Sequence, residues 1–217
     1  MTRLGKLGRI GAALVLFVAF LALAYAVAGR PWHLHRGATM PEVLRSLPGD
    51  DLVPHPRFEY TQAITIRASA EEIWPWLVQI GYRRAGWYSH DWIHRLLGIA
   101  GSVDDDRRSA DRIIAELQDL RVGDLIEIAP GLGFEVVEKE PDQVLLTGND
   151  GGSWVWFLDP LDANTTRLIV RLRGTWDPGL GNTLLFGIPN ELGSLIMQPK
   201  TLRGIKQRAE ASGGGRD

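Results

Sequence analysis

With 217 residues, 45% hydrophobic and 23% charged, and a formal net charge of −2, the chain has the size and balance of one globular domain with a short appendage. That balance gives no electrostatic pull toward DNA or RNA, and no nucleic-acid partner is expected. The absence of cysteine excludes disulfides, thiolate nucleophiles and zinc–thiolate sites.

The first thirty residues stand apart. Ile10 to Ala28 is an unbroken run of apolar and small residues, preceded by Arg3, Lys6 and Arg9 and followed by Arg30. Its length is close to the ~20 residues needed to cross a hydrocarbon core, which assigns residues 1–30 as an N-terminal transmembrane anchor contacting the membrane through residues 10–28. Ala24-Tyr25-Ala26 and Ala26-Val27-Ala28 also fit a signal-peptidase pattern, so a cleaved signal is the rival reading. The short basic tail ahead of the run inclines the orientation toward a domain outside the cytoplasm, against the pull of Arg30, Arg36 and Arg45.

Residues 31–56 are rich in proline, glycine and charge and read as a linker. The domain itself is expected over residues 57–211. Phe58 to Arg67 alternates, with Phe58, Tyr60, Ile64 and Ile66 on one face, and predicts a half-buried first strand. Ser69 with Glu72 three residues on forms a capping box that starts a helix, which Gly81 stops. A second short helix is expected from Asp91 to Leu97, followed by a mobile, solvated loop from Gly98 to Ser109 that includes the run Asp104-Asp105-Asp106-Arg107-Arg108. Five strands follow: Asp124–Ile128, Phe134–Glu140, Gln143–Thr147, Ser153–Leu158 and Thr165–Arg173. The turns between them, at Pro130-Gly131, Pro141-Asp142, Asn149 to Gly152 and Asp159 to Asp162, are short enough for an antiparallel meander. Leu192, Leu195, Ile196, Leu202 and Ile205 share a stripe that predicts a long amphipathic helix over Asn190–Glu210, bent at Pro199, before a flexible tail at 212–217.

One strand, two helices, five strands and a terminal helix make an α+β domain with helices gathered on one face of a curved antiparallel sheet. If that sheet wraps the last helix, an apolar cavity lies between them.

The order of elements and several stretches of sequence resemble the SRPBCC superfamily, the START-like or helix-grip proteins that include polyketide cyclase/dehydrase and lipid-transport members. The stretches are Leu47-Pro-Gly-Asp-Asp-Leu-Val-Pro54, Ile73-Trp-Pro-Trp-Leu-Val-Gln-Ile-Gly81, Ala85-Gly-Trp-Tyr-Ser89, Leu117-Gln-Asp-Leu120 with Val122-Gly-Asp124, and Gly204-Ile-Lys206 before Ala209-Glu210. The likeness is to bacterial members with an N-terminal anchor. It departs at Met197-Gln-Pro-Lys-Thr-Leu202, where Pro199 enters the last helix. The resemblance implies a cavity for a hydrophobic small molecule or lipid without naming the ligand.

Trp74, Trp76, Trp87 and Trp92 fall within one stretch, Ser69 to Trp92, that holds half of the eight tryptophans. Aromatics this dense either anchor a core or wall a cavity. Tyr88 and Trp92 carry polar handles suited to a cavity mouth, and Trp76 and Trp87 are candidate walls. Phe134 and Val136 should face inward. On their strand Trp154 and Trp156 oppose Val155 and Phe157, and alternation alone does not say which pair is inside. Leu168, Val170 and Leu172 oppose Arg167, Arg171 and Arg173, which makes the arginine side the expected solvent face. Leu168, Val170, Ile196 and Met197 complete the candidate lining, with Trp154 and Trp156.

Catalytic signals are weak. His90 and His94 are spaced like metal ligands on a helix, but no third ligand follows at a usual distance, and no metal or cofactor is assigned. Glu71, Glu72, Asp91, Glu116 and Asp119 all have capping or turn roles. Lys200, Arg203, Lys206 and Arg208 form a basic stripe read as solvated. The leading expectation is a membrane-anchored carrier or binder of a hydrophobic molecule. A cyclase or dehydratase acting on a polyketide-like substrate, and a ligand-free scaffold, are the alternatives; buried polar groups converging in the cavity would favour the enzyme.

Overall fold

The computed structural model describes residues 3–105 and 107–213 and divides into two compact units, one ending at Leu34 and one beginning at His35. Asp106 of the charged loop and residues 214–217 of the expected tail lie outside the described residues.

The N-terminal unit is helical: α1 (Arg3–Ala24), a π-helical turn (Tyr25–Gly29) and α2 (Arg30–Leu34). Gly11–Leu34 is long and apolar enough to cross a membrane, and Leu14, Phe17 and Phe20 on it are exposed. The helix passes Ala28, the expected end of the apolar run, and takes in Pro31. A proline ring collides with the carbonyl four residues back in a regular α-helix. Here the Arg30 amide donates to the Tyr25 carbonyl, five residues back, and the widened turn makes the room.

In the second unit, the described residues form a six-stranded antiparallel sheet in the order β1-β6-β5-β4-β3-β2. The strands are β1 (Phe58–Ile66), β2 (Leu125–Ala129), β3 (Leu132–Glu140), β4 (Val144–Asn149), β5 (Gly152–Asp162) and β6 (Thr165–Gly174). β2 to β6 are the expected meander, and β1 pairs with β6 at its edge. Register shifts between Glu127 and Ala129, Val136 and Glu138, and Pro160 and Asp162 mark bulges that bend the strands. The last corrects an expected turn: β5 continues through Pro160, whose missing donor is tolerated at a bulge, and the turn falls at Asp162, whose carboxylate accepts from the Asn164 amide at 2.8 Å.

α3 (Met40–Leu44) and α4 (Ala70–Val78) both open on complete capping boxes, Thr39 with Glu42 and Ser69 with Glu72. α5 (Asp91–Leu97) ends on Gly98, which takes the left-handed conformation at φ 72°.

The arginine side of β6 is not a solvent face. Arg171 is 2% exposed, and residues 37–53, expected to be linker, lie across it as a strap. Arg171 donates to the carbonyls of Glu42, Val43 and Arg45, to the Asp50 carboxylate at 2.7 Å and to Thr61 Oγ1 at 2.9 Å. Arg167 pairs with Glu42 at 2.6 Å, and Arg173 lies against Asp50 and Glu59. Beside these ion pairs, Leu47 packs with Ala63, Val144, Leu146, Val155, Phe157 and Ile169 in a small outer core. Alternation identified the two faces of β6; the partner that covers one of them lies some 120 positions earlier and leaves no local trace.

The inner face carries the tryptophans. Tyr60, Leu172, Trp154 and Thr147 form one rung across β1, β6, β5 and β4; Gln62, Val170, Trp156 and Leu145 form the next; Ile64, Leu168 and Leu158 follow. Against this face runs a helix that is longer than expected, starting at Leu180 rather than Asn190. It comprises α6 (Leu180–Asn182), a π turn (Thr183–Gly187), α7 (Ile188–Leu192), a second π turn (Gly193–Met197) and α8 (Gln198–Gly213). Pro189 and Pro199 each follow a π turn by two residues, as Pro31 does, and the same widening admits them. The basic stripe is half pinned: Lys206 donates to the Thr65 carbonyl at 2.8 Å, and Arg208 donates to the Ala110 carbonyl and covers the Tyr88 ring at 4.5 Å. Gly204 passes so close that a Cβ there would sit 2.1 Å from the Tyr88 carbonyl oxygen. A bent antiparallel sheet folded about a long C-terminal helix is the helix-grip fold.

Candidate functional site: an apolar cleft between sheet and helix

The sheet and helix close on each other at one end only. At the Val170 rung, Gln62 Nε2 donates to the Ser194 carbonyl at 2.8 Å, and further along Leu202, Ile205 and Ala209 of α8 are buried. Toward the other end, where β5 begins and β6 stops, the layers part around a cleft of about 1000 Å³. Its floor is the Tyr60–Leu172–Trp154 rung with Phe134 and Ile128. Its opposite wall is the helix from Asn182 to Thr201, and its sides are Trp87 and the His94–Ile99 end of α5.

Aromatic stacking fixes the floor. Trp87 lies parallel to Trp154 at 5.7 Å, Trp154 meets Trp156 at 5.0 Å, and Phe134 stands edge-on to Trp154 at 6.3 Å. Beneath them a void of about 10 Å³, room for about one water, is bounded by Ile80, Ile126, Thr147 and the same rings. The indole nitrogen of Trp87 and the amide nitrogen of Gln198 are buried in these walls without a hydrogen-bond partner among the described residues.

Of the residues the sequence singled out, Trp87, Phe134, Trp154 and Met197 line the cleft, and Trp156 lines the small void behind it. Val136, Leu168 and Val170 face inward but are fully buried and do not line the cleft. Trp76 is 2% exposed and packs edge-on against Tyr88. The Tyr88 hydroxyl, expected to orient a ligand, accepts from Gln79 Nε2 at 2.8 Å and donates to the Trp76 carbonyl at 3.2 Å, and burial pushes its pKa up. Trp92 and Ile196 point outward, 60% and 41% exposed, and do not line the cleft.

Sequence reasoning missed Tyr60, Leu172, Trp176, Leu185, Phe186 and Pro189 in the lining. Trp176 stacks on Phe186 at 6.2 Å, which ties the start of the helix to the loop leaving β6. The run from Gly174 to Pro189 reads as turn material by its glycines and prolines; its apolar spacing from Leu180 onward was the available signal.

The titratable groups at the cleft are few. His94 is 4% exposed and burial holds its pKa below the ordinary value, which favours the neutral ring at pH 7. Burial also raises the Tyr60 pKa and keeps the phenol protonated. Asp150 and Asp177 sit exposed in turns at the mouth. Among the described residues no cluster of three or more His, Asp or Glu is placed to hold a metal ion.

No family model matches the sequence and no curated protein matches it. Among solved structures, the chain is similar to the Polyketide_cyc-like protein Cgl2372 from Corynebacterium glutamicum, with 15% identity and a TM-score of 0.39 over 73% of this chain and 94% of that one. It is similar to the self-sacrificing resistance protein CalC from Micromonospora echinospora, with 11% identity and a TM-score of 0.42 over 73% and 97%. DynU16, a protein of the dynemicin biosynthetic locus, is 20% identical with a TM-score of 0.39, over 68% of this chain and 47% of that one.

Proposed function

We propose that this protein binds or carries a hydrophobic small molecule or lipid in the sheet–helix cleft, held at a membrane by its N-terminal helix. The observation that carries the reading is the cleft itself. Its volume of about 1000 Å³ stands at the upper end of the ~300–1,000 Å³ typical of small-molecule sites, and its walls are mainly aromatic and aliphatic, with polar side chains such as Arg173, Asn190 and Gln198 set among them. The enzyme alternative draws on His94, a buried imidazole in the lining, and on Arg173, which lines the cleft as well, but Arg173 is paired with Asp50 and Glu59, and Asp150 and Asp177 of the lining are exposed at its mouth. A neutral imidazole beside apolar walls suits a hydrogen bond to a guest as readily as proton transfer.

Gly193 provides the test. It lines the cleft, has an ordinary backbone conformation, and a Cβ built on it meets nothing within 4 Å. Gly193→Trp should therefore fill the cleft while keeping the fold. Full-length protein extracted in mild detergent should release an apolar molecule on organic extraction, and Gly193→Trp should release markedly less at an unchanged melting temperature. Equal, empty extracts from both would end the binding reading.

A further inference from the structure

Beside the exposed Asp150 and Asp177, the mouth of the cleft carries large apolar side chains that face outward. Leu97, Leu132, Leu185 and Phe186 all line the cleft and are still 40% to 65% exposed. They come from three separate places: the end of α5, the turn between β2 and β3, and the π turn ahead of α7. Further out, Leu96 is 79% exposed, and Leu180, Leu184, Ile188 and Leu192, spaced four apart along the helix, are 46% to 77% exposed. From Pro178 to Met197 the chain carries one charged residue, Glu191. Single exposed apolar residues are ordinary, whereas contiguous ones mark an interaction surface. A water-facing helix would place charge on such a face.

We propose that this rim is a membrane-docking surface, on which Leu96 and the stripe from Leu180 to Leu192 enter the headgroup boundary so that the cleft opens onto the acyl layer. The inference rests on the anchoring put forward above. The chain itself selects a bilayer as the occupant: the compact second unit begins at His35, immediately after a helix able to cross a membrane ends at Leu34. The chain thus tethers the domain to whatever bilayer holds the helix, and that bilayer is an apolar phase the domain carries with it. A stretch with one acidic and no basic residue binds through apolar burial rather than headgroup charge, so neutral lipid suffices.

The natural absence of cysteine allows single-cysteine labelling of the full chain with an environment-sensitive fluorophore. Leu96→Cys and Leu184→Cys place the label on the docking face but outside the cleft lining, and Asn164→Cys places it in the β5–β6 turn at the other end of the sheet. In phosphatidylcholine vesicles, lipid spin-labelled near its headgroup should quench the first two several-fold more than the third. Equal quenching at all three positions overturns the proposal. So does loss of the protein from the vesicles on an alkaline wash, or quenching absent while Leu184→Cys cross-links two copies. Neither rim position touches the cleft, so an empty cleft would leave this result unchanged, and a rim that stays in water would leave ligand capture intact.

Discussion

Replacing Glu42 with glutamine should remove most of one ion pair's contribution at neutral pH and almost none of it in strong acid. Glu42 stands at the third position of α3, where it closes the capping box with Thr39 and receives Arg167 through two contacts, Nε to Oε1 at 2.6 Å and Nη2 to Oε2 at 2.9 Å. Its side chain is 16% exposed. The hydrogen bond from Arg167, together with the Thr39 amide, lowers its pKa from 4.5 to about 2 despite partial burial. A depression of that size is worth about 3 kcal/mol at 1.36 kcal/mol per unit, and residual solvent screening brings it to about 2–3 kcal/mol. Because the folded pKa lies below the unfolded one, the contribution is complete above about pH 4.5 and is lost as pH falls through about 2. Urea unfolding followed by tryptophan emission should show wild type ahead of Glu42→Gln by that margin at pH 7. The two should converge near pH 2, where a protonated carboxyl resembles the amide. A gap that stays constant from pH 7 to pH 2, or that is absent at pH 7, would refute the assignment.

Other outcomes follow from the same contacts. Arg171→Met leaves the strap carbonyls without their donor and Asp50 with Arg173 as its remaining arginine partner, and breaking a buried pair costs up to about 3–5 kcal/mol; limited trypsinolysis should then cut at Arg45 well before wild type is touched. Gly204→Ala sets a helix preference of about 1 kcal/mol against a Cβ placed 2.1 Å from a backbone oxygen, so the overpacking of about 1–3 kcal/mol wins and thermal unfolding should shift down. Trp154→Ala removes the centre of the stacked floor and should lower stability by about 3–5 kcal/mol in chemical denaturation, while Trp92→Ala, on an exposed surface, should change it by no more than about 0.5 kcal/mol.

Much of the architecture could be read from local chemistry. The Ser69–Glu72 box marked the start of α4, α5 ran from Asp91 to Leu97 as expected, and the turn residues separated the strands of the meander, because each of these signals acts within a few residues. The cleft was harder for a geometric reason. Alternation says which face of β6 a leucine occupies but not how far along the sheet the helix stops covering it, so Leu168 and Val170 were chosen for the lining and Leu172 was passed over, although of the three it is Leu172 that meets the open space. Tyr88 and Trp92 were chosen for their polar handles, which local structure either used, in the bonds to Gln79 and Trp76, or turned outward. The early start of the long helix was hidden by Pro189, since a proline reads as a breaker unless the turn before it widens.

The strap over residues 37–53 bears on how a guest would be received. By clamping β6 and β1 from behind, through Arg167, Arg171 and Arg173, it works as a splint on the convex side of the sheet, set by ion pairs and an outer core that, apart from Arg173, lie outside the cleft lining. The bend that keeps the tryptophan floor apart from the helix is thus held by the protein's own chain. A cleft held open in this way is preorganised: a hydrophobic guest entering it spends none of its binding free energy on shaping the sheet.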